Sequence, residues 1–357
     1  MKKFLFHPLV ITTIVVTFII LLGNLKYKDR YLSDKELREV ALSGSFKPIP
    51  KTYKELLKVV DNPENRLSRE KIALGKKLFF ENLLSKDKSL NCASCHILEE
   101  GGDDNLPTAI GFHGRKNPFH LNSPTVLNSA LAVAEFWDGR AKDVEQQAGG
   151  PVQAPFEMNM QPKDVEDRLN ASQSYKDEFK KVFGSSKITF ENVKKAIGAY
   201  ERTLLTRGAF DEFLEGNNSA ISQKAKRGMS LFLTRGCKGC HSGMSAGGQS
   251  MQHFPLRSFI ADDIGLVFNP KLSIKENPYP IPDLGGFRGK NDMLLFRVPI
   301  LRNISKTAPY FHNGSVDKLE EAVRIMSKYQ LGREFSKDEI SDVVAFLKTL
   351  DGKIVEY

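Results

Sequence analysis

Two short cysteine motifs constrain this chain more than any other feature of its sequence. They read Cys92-Ala93-Ser94-Cys95-His96 and Cys237-Lys238-Gly239-Cys240-His241, and together they contain all four cysteines. This spacing lets two thiols bond to the two vinyl groups of one haem while the adjacent histidine turns to the iron. We therefore predict two covalently bound c-type haems, held by Cys92, Cys95, Cys237 and Cys240, with His96 and His241 as the proximal iron ligands.

Two other interpretations of the cysteines explain less of the pattern. A disulfide within each pair would suit an exported protein, but it would leave both adjacent histidines without a purpose. A shared zinc site would need the two pairs to lie closer in sequence than Cys95 and Cys237 do.

The N-terminus has the pattern of an export signal. Lys2 and Lys3 precede an uncharged apolar run of 14 residues, from Leu9 to Leu22. No small-x-small cleavage pattern follows the run, and with its apolar flanks it approaches the roughly 20 residues that span a bilayer. We predict residues 1–27 to be a signal or an uncleaved membrane anchor that sends the rest of the chain into the periplasm. Cleavage after the run stays open.

The formal charge of +9 includes the two N-terminal lysines, so the remainder of the chain is only mildly basic. No arginine-rich or aromatic-interleaved basic run is present in the sequence, and we expect no nucleic-acid partner. A solvated basic surface and a docking surface for an acidic electron donor both fit this charge.

The chain repeats one pattern in two halves, which suits two medium domains in 357 residues. Gly75-Lys76-Lys77-Leu78-Phe79 and Gly228-Met229-Ser230-Leu231-Phe232 each lie on an amphipathic helix that leads into a cysteine motif. Each half also closes with a helix, one capped at Thr189 and one with a capping box at Ser336 and a stop at Gly352. Strand signals are scarce and the stretches between helices are rich in Gly and Pro.

We therefore predict a mainly α fold of two cytochrome c-like helical domains with long loops, each holding one c-type haem. The predicted boundaries are 28–63 for a tether with a short helix at 53–60, 64–207 for the N-terminal domain, and 208–357 for the C-terminal domain.

Further motifs in both halves closely resemble the bacterial dihaem cytochrome c peroxidases, and the resemblance covers roughly residues 65 to 350. In the first half the motifs are Leu106 to Gly111, Ser123 to Asn128, Phe136 to Arg140 and Gln147 to Pro151. In the second half they are Arg297 to Pro299, Leu301 to Asn303, Thr307 to Gly314 and Glu321 to Met326.

The resemblance implies different tasks for the two haems. The C-terminal haem, on His241 and Met326, would accept electrons at high potential, because Met/His ligation raises the reduction potential. From the residues alone Met326 could equally be a core side chain, with Met251 and Met293 as other possible ligands.

The N-terminal haem, on His96, would be the peroxide site. The resemblance implies that His113 blocks its distal face at rest and leaves on reduction of the other haem. This chain has one extra residue between His113 and Trp137 relative to the family pattern, so His120 or a site open at rest remain alternatives.

The same resemblance assigns roles in catalysis and in calcium binding. Glu157 would be the general acid/base, Gln147 would hydrogen-bond peroxide, and Trp137 would lie between the haems, although a lone tryptophan is usually a core aromatic. One calcium ion would be held by the side chain of Asn122 and the carbonyl groups of Thr307 and Pro309.

The function that the resemblance implies is the reduction of hydrogen peroxide to water, with electrons from a small cytochrome c or cupredoxin, in a homodimer. Two alternatives remain. One is a related dihaem enzyme that oxidises a partner protein, although those enzymes carry tyrosine where Met326 stands. The other is a dihaem electron carrier without chemistry of its own, in which Glu157 and Gln147 would have no purpose.

Overall fold

The computed structural model describes residues 31–256 and 279–357, and the predicted signal or anchor at 1–27 lies outside these ranges. Within them the chain is mainly helical, which confirms the predicted fold class, and no helix there is long and apolar enough to cross a membrane. The α-helices are α1 Asp34–Ser43, α2 Tyr53–Val60, α3 Arg69–Phe79, α4 Val144–Gln153, α5 Pro162–Asn170, α6 Gln173–Phe183, α7 Phe190–Glu201, α8 Ala209–Leu214, α9 Gln223–Thr234, α10 Leu319–Ile325 and α11 Lys337–Leu347. The strands are β1 Thr206–Gly208, β2 Met251–His253, β3 Leu295–Arg297 and β4 Gly352–Ile354; β1 pairs antiparallel with β4, and β2 with β3.

The N-terminal half is built on the crossing of α3 and α7. Ser68 and Thr189 cap the two helices, Thr189 as predicted, and each side chain accepts a hydrogen bond from the backbone N–H of the third residue of its helix. The helices touch backbone to backbone at Gly75, where a Cβ atom would overlap the carbonyl oxygen of Ala196. The apolar faces of both helices contribute to one buried core.

The C-terminal half repeats this crossing with α9 and α11. Ser222 caps α9, and Ser336 forms the predicted capping box with Glu339 at the start of α11. A Cβ atom at Gly228 would overlap the carbonyl oxygen of Asp342. The glycine shared by the two sequence repeats is therefore the point at which each helix pair makes its closest approach.

The predicted end of the closing helix at Gly352 is wrong. α11 ends at Leu347, and a 3-10 turn continues from Lys348 to Leu350. Gly352 instead begins β4, where it lies opposite Gly208, and a Cβ atom there would come 2.5 Å from the carbonyl group of Arg207. The glycine serves a close strand contact and not a helix stop.

The prediction of residues 28–63 as a tether with one short helix is also wrong for the part that the structure describes. The short helix forms as α2, but α1 precedes it, and its Leu37 and Ala41 are fully buried in the C-terminal core. The Lys226 ammonium group lies 2.8 Å from the Asp34 carboxylate, and the backbone N–H of Leu32 donates to Ser230. Residues 31–46 are therefore an integral layer of the C-terminal half.

A leucine pair on α1 tests this layer. We expect Leu37→Ala to lower the free energy of unfolding by about 2–5 kcal/mol, because it leaves a cavity in a closed core. Leu42→Ala on the same helix should change it by no more than about 0.5 kcal/mol, since Leu42 is 44% exposed. Denaturant unfolding of the haem-loaded protein measures both. Equal, small effects for the two variants would restore the tether interpretation.

Candidate functional site: two facing pockets

Both cysteine motifs adopt the same tight turn. In each motif the second cysteine and the histidine donate their backbone N–H groups to the carbonyl oxygen of the first cysteine, at 3.2 and 3.0 Å for Cys92 and 3.3 and 3.0 Å for Cys237. The turn brings the two cysteines and the histidine of each motif to one pocket. All four cysteines are free, so the disulfide interpretation is wrong for this structure.

The thiols lie in a setting that favours an uncharged sulfur. Burial raises the pKa of Cys95 and of Cys237 to about 12, so neither is a thiolate at neutral pH. No cluster of three or more His, Cys, Asp or Glu side chains suited to a metal lies within residues 31–256 and 279–357. These observations disfavour a zinc site and fit thioether attachment of a haem.

The C-terminal pocket contains a histidine and a methionine together with an apolar lining. Cys237, Cys240 and His241 lie in it, and so does Met326. Burial lowers the pKa of His241 to about 4, which keeps the imidazole neutral and able to bind a metal. Met326 is the first residue of a π-helical turn that continues to Gln330 directly after α10, and such turns are frequent at functional sites.

The other two candidate methionines lie elsewhere. Met251 packs against Gly139, and Met293 is 46% exposed. Neither lines the C-terminal pocket, whereas Met326 does.

The N-terminal pocket brings Glu157, Gln147 and Trp137 together with the first cysteine motif. The Nδ1 atom of His96 lies 3.0 Å from the carbonyl oxygen of Gly102, and this contact fixes Nδ1 as the protonated nitrogen and leaves Nε2 as the one that can bind a metal. Burial lowers the pKa of His96. Gln147 is placed by α4, which Asp143 caps.

A close backbone contact holds Glu157 in place. The backbone N–H of Phe112 donates to the carbonyl oxygen of Glu157 at 2.7 Å, and a Cβ atom at Gly111 would overlap the carbonyl oxygen of Phe156. Burial raises the pKa of the Glu157 carboxyl group to about 7, with the Arg140 charge acting in the opposite direction. Both protonation states are therefore populated near neutral pH, as a general acid/base requires.

Trp137 lines both pockets. Its indole N–H donates to the carbonyl oxygen of Asn122 at 2.9 Å, and the ring centre lies 6.3 Å from that of His312. The residue is 9% exposed, so it is a core aromatic that also stands between the two pockets.

Neither candidate distal histidine lines the N-terminal pocket. His113 is on the outside of its loop, where it stacks on Phe112 and has its Nε2 atom 3.4 Å from the Asp87 carboxylate. The Nδ1 atom of His120 is buried without a hydrogen-bond partner, but the ring is not in the pocket either. The structure thus does not bring His113 or His120 to His96, and the distal ligand stays a prediction.

The three residues predicted to bind calcium lie where the two halves meet. Asn122, Thr307 and Pro309 all line the C-terminal pocket, and the side-chain amide of Asn122 donates to the carbonyl oxygen of Leu106 at 2.7 Å. The backbone N–H of Asn122 donates to the carbonyl oxygen of His312, which links the halves directly.

Sequence reasoning missed several buried charges around the pockets. Glu135 and Glu201 line the N-terminal pocket, and Asp103 and Arg297 line the C-terminal pocket. Arg297 was visible in the sequence only as part of a family motif, and the other three had no local signal.

Comparisons with known proteins agree with the geometry of both pockets. A family model described as di-haem cytochrome c peroxidase matches residues 69–219, and a cytochrome c model matches residues 225–351. The cytochrome c551 peroxidase of Pseudomonas aeruginosa is 41% identical over 87% of this chain and 85% of its own length. The cytochrome c551 peroxidase of Nitrosomonas europaea is 44% identical over 81% of both chains.

More distant similarities extend to a second group of proteins. The methylamine utilization protein MauG of Methylorubrum extorquens is 37% identical over 80% of this chain and 79% of its own length. A crystal structure of a MauG-like protein associated with microbial copper homeostasis superposes with a TM-score of 0.67 at 26% identity, covering 86% of this chain and 94% of that one. Two helical cytochrome c-like halves, the paired cysteine motifs and these relatives agree: the chain belongs to the di-haem cytochrome c peroxidase family.

Proposed function

We propose that this chain reduces hydrogen peroxide to water in its N-terminal pocket, with electrons that enter through the C-terminal pocket. The reaction combines one hydrogen peroxide with two electrons and two protons to give two water molecules. The observation that carries this proposal is Glu157, a carboxyl group with a pKa of about 7 in the same pocket as Gln147 and the first cysteine motif. The chain is accordingly an oxidoreductase that acts on peroxide, as its peroxidase relatives are named.

The residues of the N-terminal pocket have separate roles in peroxide cleavage. A haem c would be held there by Cys92, Cys95 and His96 and would supply the redox chemistry of O–O cleavage. Glu157 would take the proton from one peroxide oxygen and give it to the other, which would leave as water. The Gln147 amide donates a hydrogen bond that orients the peroxide. The two further protons come from solvent.

The residues of the C-terminal pocket suit electron entry. His241 and Met326 would both bind the iron of a haem c in this pocket, and Trp137 lines this pocket as well as the N-terminal one. A small cytochrome c or cupredoxin is the proposed donor. We also propose that the chain acts in the periplasm as a homodimer, with residues 1–27 as its export signal or membrane anchor.

His113 is the proposed distal ligand of the oxidised resting enzyme. Its loop is joined to the backbone of Glu157, because the N–H of Phe112 donates to the Glu157 carbonyl oxygen, so a movement of His113 would occur beside Glu157. The Asp87 carboxylate, 3.4 Å from Nε2 of His113, is a partner for the histidine when it is away from the iron.

Calcium binding by Asn122, Thr307 and Pro309 is also proposed. These residues come from both halves, so an ion held by the Asn122 side chain and the two carbonyl oxygens would join the halves beside Trp137.

The two alternative functions differ from this proposal at particular residues. Enzymes of this kind that oxidise a partner protein would carry tyrosine at the position of Met326, and here Met326 lines the pocket of His241. A pure electron carrier would not need Glu157 and Gln147 beside a haem. Peroxide-dependent oxidation of a small donor protein by the purified chain tests the proposal against both.

Replacement of the proposed methionine ligand is expected to change the C-terminal haem alone. We expect Met326→Leu to lower the reduction potential of the higher-potential haem and to abolish its sulfur–iron absorption band, because a thioether ligand raises the potential. Potentiometric titration followed by optical spectroscopy measures both. Met251→Leu and Met293→Leu are the matched controls, and a loss of the band in either of them would reassign the ligand.

Replacement of the catalytic carboxylate is expected to stop turnover without loss of haem. Glu157→Gln keeps the size of the side chain but cannot accept a proton, so we expect peroxide turnover to fall by about 10²–10⁴-fold. Haem content, measured by pyridine haemochrome absorption, should stay at two per chain. Glu64→Gln, at a side chain that is 77% exposed, is the control and should keep full turnover.

The pH profile supplies a second readout of the same residue. Because burial raises the pKa of Glu157 to about 7, the carboxylate form that accepts the proton is lost as the pH falls through this value. We therefore expect kcat/KM of the wild type to rise with pH through about 7 and the residual rate of Glu157→Gln to lack this rise. The same rise in both would assign it to another group.

The two candidate distal histidines are separated by their alanine variants. If His113 blocks the resting iron, oxidised His113→Ala binds cyanide at the N-terminal haem without prior reduction, whereas His120→Ala still requires reduction of the other haem. Optical titration with cyanide at each redox stage makes the comparison. The opposite pattern would assign the ligand to His120, and equal binding in the wild type would show a site open at rest.

A further inference from the structure

Arg297 holds the peptide of the residue that lies between the pockets. It is on β3, is 3% exposed and lines the C-terminal pocket. Its backbone N–H donates to the carbonyl oxygen of Trp137 at 2.8 Å, and its side-chain Nε donates to the carbonyl oxygen of Phe136 at 3.3 Å. Arg297, a residue of the C-terminal half, thus binds the carbonyl oxygens of both Phe136 and Trp137.

The Nη1 atom of the same guanidinium group is buried and has no hydrogen-bond partner. Other buried arginines in the described part of the chain have close carboxylates: Arg202 lies 2.9 Å from Glu145, and Arg302 lies 2.7 Å from Asp211. Arg297 has no such ion pair within the described residues. Burial lowers its pKa, and the carboxyl group that acts in the opposite direction is Glu135, which lines the other pocket. A buried guanidinium group without an anion is costly, so this one requires a partner.

The chemistry of the C-terminal pocket identifies the kind of partner. Cys237, Cys240 and His241 fit a haem c, which carries two propionate carboxylates in addition to its iron. A guanidinium group matches a carboxylate in charge and in the geometry of its N–H donors. The Nη1 atom that lacks a hydrogen-bond partner is therefore complementary to a propionate of a haem c in this pocket.

We propose that Arg297 binds a propionate of the haem in the C-terminal pocket and is the positioning residue that ties this charge to the Trp137 peptide. The proposal rests on the haem c binding that the proposed function includes, but not on peroxide turnover. Apart from the cysteine motif with His241, the other ionisable groups that line the same pocket are Asp103, His253, Tyr310 and His312. Of these, Asp103 is neutral or negative in either protonation state, so it cannot supply the positive charge that compensates an ionised propionate.

The reduction potential of the C-terminal haem tests the charge. Loss of a buried cation beside the haem disfavours electron uptake, so we expect Arg297→Gln to weaken the hold on the electron about tenfold, a fall of about 59 mV for a one-electron couple. Arg297→Lys keeps the charge and should show less than half of this fall. Arg288→Gln, an arginine that is 41% exposed, should leave the potential unchanged.

Each outcome bears on the proposal without reference to peroxidase activity. An unchanged potential in Arg297→Gln overturns it, and so does an equal fall in Arg297→Gln and Arg297→Lys, which would indicate a packing effect. If either variant fails to fold, a crystal structure of the haem-loaded wild type decides. A propionate oxygen within hydrogen-bond distance of Nη1 supports the proposal, and propionates bound only by other groups refute it.

Discussion

The two pockets depend on one contact that occurs once in each half, the backbone-to-backbone crossing of a pair of helices at a glycine. At Gly75 and at Gly228 any Cβ atom would overlap a carbonyl oxygen of the partner helix. The cysteine motifs follow α3 and α9 closely in sequence, so the crossing determines where the thiols and the proximal histidine project. A side chain at either glycine would separate the helices and displace the motif from the rest of its pocket.

Three consecutive hydrogen bonds join the two halves, and Trp137 takes part in two of them. His312 accepts from Asn122, Asn122 accepts from the indole of Trp137, and Trp137 accepts from Arg297. His312 and Arg297 belong to the C-terminal half, so that half binds the backbone of both Asn122 and Trp137, while Trp137 also lines the N-terminal pocket. A change of charge in one pocket therefore has a short physical connection to the other.

The features that local sequence determines were predictable, and those that depend on distant packing were not. The caps at Thr189 and Ser336 are short-range hydrogen bonds, and the structure has them where the pattern predicted them. The segment around Leu37 and Ala41 has too few apolar residues to distinguish a packed helix from a tether. The two side chains are buried only because the segment packs against α9, which is far away in the sequence. The burial of Glu135 and Arg297 arises from segments far apart in sequence. The His113 ring contacts Asp87, a residue of an earlier loop, so no pattern within its own loop could determine its position.

The difference between the two pockets must come from the residues between each cysteine motif and its closing helix, because the helix crossings and motif turns are alike. In the first half this stretch provides Gln147 and Glu157, and burial raises the pKa of Glu157 to about 7 against the opposing effect of the Arg140 charge. In the second half it provides Met326 on a π-helical turn, a side chain that can bind iron but cannot exchange a proton. A repeated scaffold thus presents a group able to exchange a proton in one pocket and a thioether in the other, and the proposed division of work between the pockets depends on this asymmetry.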